Sequence, residues 1–245
     1  MTTTSTSAPR WARPGRWGCL PGGFALLELL VVVAIVALLA SLLLPGLRHA
    51  RVAARIVRAH AELRQVDVAL QMYLDANRDR LPPTRSSCSL RQDFELPVEL
   101  GVQRMLPYET AMVRTGYGEA QVDRVTLPDV FAPHLTYKYR APGPAIINDT
   151  LAEPPFGASL WVPNAFPDVS SAEGRYYTNA RDEPPSPVRY ALWSIGPDPE
   201  SPKFRSTAVR IGKAPVPRFF WCRGATDTGM VTHFMDRAGR QYQSP

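Results

Sequence analysis

Cysteine and histidine are scarce in this chain, at three and four among 245 residues. So few cysteines exclude a disulfide-stapled scaffold, and their spacing excludes the paired ligands of a structural zinc site. His49, His60, His134 and His233 stand far apart, and no two have the i, i+4 spacing of a helical metal site. The chain also lacks a glycine-rich phosphate loop, a glycine-flanked serine of the nucleophile-elbow kind, and any internal repeat. Nothing here asks for catalysis, so a non-enzymatic role is expected.

Proline, by contrast, is abundant. It makes up 25 of 245 residues, about twice the usual ~5%, so turns should be frequent. One long apolar run dominates the rest. From Phe24 to Leu44 only Glu28 is charged and only Ser41 is otherwise polar. As a helix this run would be about 31 Å long, matching a hydrocarbon core of about 30 Å. Glu28 is the informative residue, because a carboxylate costs roughly 2.5–3.5 kcal/mol at a bilayer centre, and less near the edge.

The segment before the run, residues 1–23, holds Arg10, Arg13 and Arg16 and no acid. A basic leader, then Gly23, then the aromatic Phe24, then Glu28 at the fifth place of the run resembles the prepilin processing site of type IV pilins and type II secretion pseudopilins. The resemblance implies cleavage after Gly23, N-methylation of Phe24 by a membrane peptidase, and Pro45 as the helix-bending proline of these proteins. An uncleaved signal anchor is the other reading of the same segment. Positive charge does not choose the orientation, since Arg48, Arg51, Arg55 and Arg58 follow the run. The processing motif implies a cytoplasmic amino terminus and a carboxy-terminal part outside the bacterial inner membrane. Loss of the leader lowers the formal charge from +6 to +3, too little to argue for a nucleic-acid partner.

Beyond Pro45, Val52, Ile56, Ala59, Leu63, Val66, Leu70 and Tyr73 recur at helical spacing as one apolar stripe. The four arginines form a second stripe, about 100° around the axis. It reads either as a solvated or headgroup-facing surface, or as an assembly surface. The helix should run to near Asn77, with Pro82 and Pro83 as its stop. Asp75-Ala76-Asn77-Arg78-Asp79-Arg80-Leu81-Pro82 resembles the D-N-G-R-Y-P passage of the major pseudopilin, departing from it at Ala76, Asp79 and Leu81.

The expected organisation is a leader at 1–23, a transmembrane helix at 24–47, an amphipathic extension at 48–81, an irregular segment at 82–157 and a β-rich head at 158–245. The fold class is α+β: a long amino-terminal helix packed on a small antiparallel sheet, as in pilins. Strands are predicted at Leu135–Tyr139, Ser159–Val162, Val188–Ile195, Arg218–Cys222 and Met230–Met235, with a turn at Ala141–Pro144 and a final hairpin through Arg237–Gly239. Ser194-Ile195-Gly196-Pro197-Asp198 resembles the S-x-G-x-D strand end of pseudopilins. There the following loop often holds calcium, so Asp198 and Glu200 are candidate ligands, with a plain turn as the alternative. In the topology implied by the resemblance, Cys88 and Cys222 predict one disulfide; otherwise Cys222 is a small buried apolar residue.

The function expected from the resemblance is a pseudopilin that assembles through its helix into a short fibre driving type II secretion. Its partners would be other copies of itself, the prepilin peptidase and an inner-membrane assembly platform. A type IV pilus subunit, and a membrane-tethered binding domain that never polymerises, are the alternatives.

Overall fold

The computed structural model describes residues 26–87, 92–115, 118–171, 173–198 and 215–245. The chain divides into two compact units, Met1–Pro45 and Gly46–Pro245. One helix, α1 (Leu26–Ala76), runs through the division. In the first unit every described residue is helical and exposed. Leucine, alanine and valine fill this stretch, and Pro45 sits inside the helix with Gly46 after it.

The second unit begins with the rest of α1, whose apolar stripe is buried at Ile56, Ala59, Leu63, Val66, Ala69, Leu70, Tyr73 and Leu74. The helix ends at Ala76, as expected near Asn77, though it closes before Pro82 can act as its stop. The Asn77 side chain donates to the Tyr73 carbonyl at 2.8 Å, and Arg78 and Asp79 both take left-handed backbone angles. The Asp79 amide then reaches back to the Leu74 carbonyl at 2.9 Å. A capping turn of this kind satisfies the orphan carbonyls of the last helical turn, so Pro82 and Pro83 follow a helix that has already closed.

The segment at 82–157, expected to be irregular, is threaded with strands. In chain order these are β1 (Thr84–Ser87), β2 (Gln92–Asp93), a short helix α2 (Val98–Val102), β3 (Tyr108–Thr115), β4 (Gly118–Val125), β5 (Pro128–Asp129), β6 (Ala132–Thr136), β7 (Lys138–Arg140), β8 (Ala145–Ile147) and β9 (Thr150–Ala152). The predicted single strand at Leu135–Tyr139 is split between β6 and β7, with Tyr137 between them. The predicted turn at Ala141–Pro144 joins β7 to β8, and Gly143 has φ +133° there. β3 and β4, eight residues each, pair antiparallel along their whole length. This pairing escapes an apolar pattern because charged and polar cross-strand pairs support it: Glu109 with Arg124 at 2.7 Å, and the Thr110 hydroxyl with Asp123 at 2.7 Å.

The last third adds β10 (Leu160–Pro163), β11 (Gly174–Tyr177), β12 (Val188–Ser194), β13 (Val231–Asp236) and β14 (Gln241–Gln243). The sheet under the helix has the order β14-β13-β12-β7, antiparallel throughout. Its two faces are both buried. Tyr190, Leu192, Val231 and Met235 share a core with the stripe of α1. Ala191, Trp193 and Phe234 share another with Leu160, Val162 and Trp221. Strand alternation gives this division, with one exception. Val188 and Tyr190 lie two residues apart yet in different cores, because a register shift between them turns the strand over.

Arg218–Cys222 is not the strand expected. Arg218–Phe220 forms a 3-10 turn, followed by a single bridge from Trp221 to Met230. Phe220 and Trp221 are buried in succession in one core, which a turn permits and an alternating strand does not; Cys222 is buried in the other. The described chain is thus α+β: one long apolar amino-terminal helix and several small, mainly antiparallel sheets.

Candidate functional site

The first candidate is the apolar helix surface. Residues 26–51 are all exposed, and Leu26, Leu42 and Leu43 each show 70% or more of their surface. A helix apolar all round needs either a protein interior or a membrane. By length and composition α1 is a candidate membrane span. Glu28 lies in its first turn. Ser41 settles its own hydroxyl on the Leu38 carbonyl at 2.7 Å. Pro45 has no amide to offer the Ser41 carbonyl four residues back. Gly23 and Phe24 lie outside the described residues.

Next along α1 comes a polar cluster that holds the helix to the sheet. Asp67 lies in the middle of the apolar stripe, four residues after Leu63, and is 2% exposed. Its Oδ1 accepts a short hydrogen bond from the Tyr190 hydroxyl and lies 3.3 Å from His233 Nε2. Its Oδ2 accepts from the Gln71 amide at 2.6 Å and from the Gln241 amide at 2.8 Å. Burial pushes the Asp67 carboxyl up, but the adjacent His233 and the bond from Tyr190 outweigh it and hold the group below its ordinary value. Burial, then the neighbouring Asp67 charge, pushes the Tyr190 hydroxyl far up. His60, about two turns before Asp67, is held below its ordinary value mainly by burial, with Arg64 and His233 adding repulsion and the Pro245 backbone opposing it.

Another buried carboxylate explains the S-x-G-x-D segment. Asp129 is fully buried. Its Oδ1 accepts from the Ser194 hydroxyl at 2.7 Å and from the Phe131 amide at 2.9 Å, and its Oδ2 accepts from the Ile195 amide at 3.0 Å. The Gly196 amide donates to Ser194 Oγ at 3.2 Å. Gly196 has φ +78°, and a Cβ there would lie 1.7 Å from the Gly229 carbonyl oxygen. Serine and glycine in this motif thus tie the end of β12 to β5. Asp198 follows in the described chain, whereas Glu200 lies outside it. Among the described residues no three His, Cys, Asp or Glu side chains are grouped to hold a metal ion.

Cys222 is buried, with its Sγ 3.3 Å from the Gly224 carbonyl oxygen; Cys88 lies outside the described residues. A groove of about 440 Å³ opens beside the end of α1, walled by Pro82, Pro142 and Pro144 and by Arg80, Arg189 and Arg237. Arg189 is held there by Asp79 at 2.6 Å, so its charge is already matched.

Asp67 and Asp129 escape sequence inspection because their partners are distant. Tyr190 is 123 residues from Asp67, and Ser194 is 65 from Asp129. The one available signal was a carboxylate at a buried register of the stripe. No protein-family model, curated protein or solved structure matches the chain.

Proposed function

We propose that this chain is a pilin-like structural subunit of the pseudopilin kind. It is anchored in the bacterial inner membrane by one span, its amino terminus cytoplasmic and its head periplasmic, and it polymerises through α1 into a short fibre that drives type II secretion. The observation that carries this reading is a single helix with two environments. Its first half is apolar and exposed on every side, and its second half is built into the core of an α+β head. Such a helix is suited to a bilayer before assembly and to a bundle of like helices after it.

Glu28 has a physical role in this scheme. Cleavage after Gly23 creates an ammonium at Phe24, and pairing it with Glu28 of a neighbouring copy neutralises two charges that are costly when buried alone. The subunit's role is structural and its partners are further copies, the peptidase and the assembly platform.

The intact mass of the mature chain, purified from cells with an active prepilin peptidase, tests the reading. The expected product starts at Phe24 and carries one added methyl group, and Gly23→Val blocks its formation. An amino terminus at Met1 in the wild type would overturn the proposal in favour of a tethered, uncleaved domain.

A further inference from the structure

Directly after the apolar segment stands a row of cations that the fold leaves uncovered. Arg48, Arg51, Arg55 and Arg58 are all exposed, and at about 100° per residue they occupy an arc of roughly 80°. The adjacent arc, which carries Ile56, Ala59 and Leu63, is buried in the core of the head. Arg58 is engaged by Glu62 at 2.7 Å. Arg48, Arg51 and Arg55 make no hydrogen bond or ion pair among the described residues. Three guanidinium groups on one uncovered face therefore have their binding capacity unspent.

Their depth is set by the helix. They lie about 1.5, 6 and 12 Å beyond Leu47 along the axis, where the polar headgroup layer is roughly 5–8 Å deep on each side of a bilayer. Helical Cα–Cβ bonds tilt toward the amino terminus, so these side chains lean back toward the apolar half, and long basic stems readily snorkel to an interface. Guanidinium is the side chain best matched to phosphate, binding it through paired donors. A second copy offers less on this face, since α1 holds only Glu28, Glu62, Asp67 and Asp75 as acids. Of these, Glu62 is taken by Arg58 and Asp67 is buried.

We infer that Arg48, Arg51 and Arg55 form a binding row for anionic phospholipid headgroups at the membrane face where the apolar segment ends. The inference rests on the membrane-span reading above but not on which face of the membrane is involved. In the proposed orientation, it gives a purpose to positive charge placed on the side where topology does not call for it. The row would hold an unassembled subunit upright at the surface until assembly extracts it.

The test uses the full-length chain in nanodiscs containing equal amounts of phosphatidylglycerol and phosphatidylcholine. The lipids retained by each chain are counted by native mass spectrometry. Each arginine near an anionic surface should contribute about a fivefold preference, so the three together give phosphatidylglycerol an advantage of roughly a hundredfold. The R48Q/R51Q/R55Q variant should fall to parity with an unchanged thermal midpoint, and high salt should reproduce that loss in the wild type. Arg181→Gln, at an exposed arginine outside α1, should keep the preference. Equal retention of the two lipids by the wild type, or an undiminished preference in the triple variant, overturns the inference alone. A variant that alters self-association and leaves lipid retention intact does so too, in favour of a protein contact. A chain that does not enter the bilayer at all overturns both this inference and the membrane reading.

Discussion

Replacing Asp67 by asparagine removes one charge from the helix–sheet junction and nearly preserves its shape. On the Oδ2 side the new amide faces two glutamine amides, Gln71 and Gln241. Both can reverse to present oxygen instead of nitrogen, so that side is repairable. On the Oδ1 side the bond from Tyr190 weakens from charge-assisted to neutral, and His233 Nε2 at 3.3 Å loses its anion. The expected loss is about 1–2 kcal/mol. For a unit of this size that lowers the thermal midpoint by roughly 2–8 °C. Asp67→Ala should lose more, about 3–5 kcal/mol, because it also strands the buried Tyr190 hydroxyl. The assay is circular dichroism of the full chain in detergent micelles, scanned with temperature at several pH values. Asp67 is held below its ordinary value in the folded state. Its contribution is therefore complete above the usual carboxylate range and disappears as pH falls through the lowered folded value. The gap between wild type and Asp67→Asn should be widest near neutrality and should close in acid. A Tyr190→Phe partner in a double-mutant cycle should show coupling of about 0.5 kcal/mol or more. A neutral-pH gap below about 0.5 kcal/mol, or a gap that acid does not shrink, would refute the role given to this carboxylate.

His60 is a base whose pKa burial depresses from its ordinary value of 6.5. Its neutral form is therefore the stabilised one, and stability should fall as pH drops from about 6.5 through the lowered value; His60→Gln should flatten that part of the pH–stability curve, and an unchanged slope would dismiss His60 as its source. Gly196→Ala combines an unfavourable positive φ with a Cβ 1.7 Å from the Gly229 carbonyl oxygen. It should lose roughly 3 kcal/mol or more in a denaturant titration, and a loss under about 1 kcal/mol would mean that the turn yields without strain. Glu28→Leu should leave membrane insertion at least as good as in the wild type while fibres fail to form, as seen by shear-fraction blotting. Normal fibres from this variant would sink the proposed ammonium pairing.

The helix, β10, β12, β13 and the final hairpin were legible because each rests on a local signal. For the helix that signal was an apolar run followed by a 3.6-residue stripe; for the strands it was aromatic and β-branched runs bounded by Pro, Gly or Asp. The β3–β4 hairpin was not legible, since Tyr108–Thr115 and Gly118–Val125 hold their register through polar pairs in place of a buried apolar face. Arg218–Cys222 misled in the other direction. Its composition favours a strand, but a turn delivers Phe220 and Trp221 in succession to the second core, while Cys222 goes to the first. The polar clusters were the least legible, because a carboxylate in a helical stripe reads as a border position until its distant donors are known.

An apolar stripe alone fixes which face of α1 meets the sheet, but it fixes axial position weakly. Residues at intervals of three and four present similar bulk after each turn, so sliding by one turn, about 5.4 Å, exchanges one leucine for another. Asp67 breaks that degeneracy. Tyr190 and His233 lie on adjacent strands, β12 and β13, and their side chains converge on this one carboxylate, while Gln241 reaches it from β14. A slide of one turn would bury the carboxylate away from its donors at several kcal/mol and set an apolar residue against the Tyr190 hydroxyl. Arg64, which donates to Gln243 on β14 at 2.9 Å, would lose its partner in the same slide. The helix is thus greased along its length and pinned by a few polar groups, Glu62 under the Tyr137 hydroxyl among them, and a pull along its axis would be resisted first by these polar bonds rather than by the apolar contacts around them.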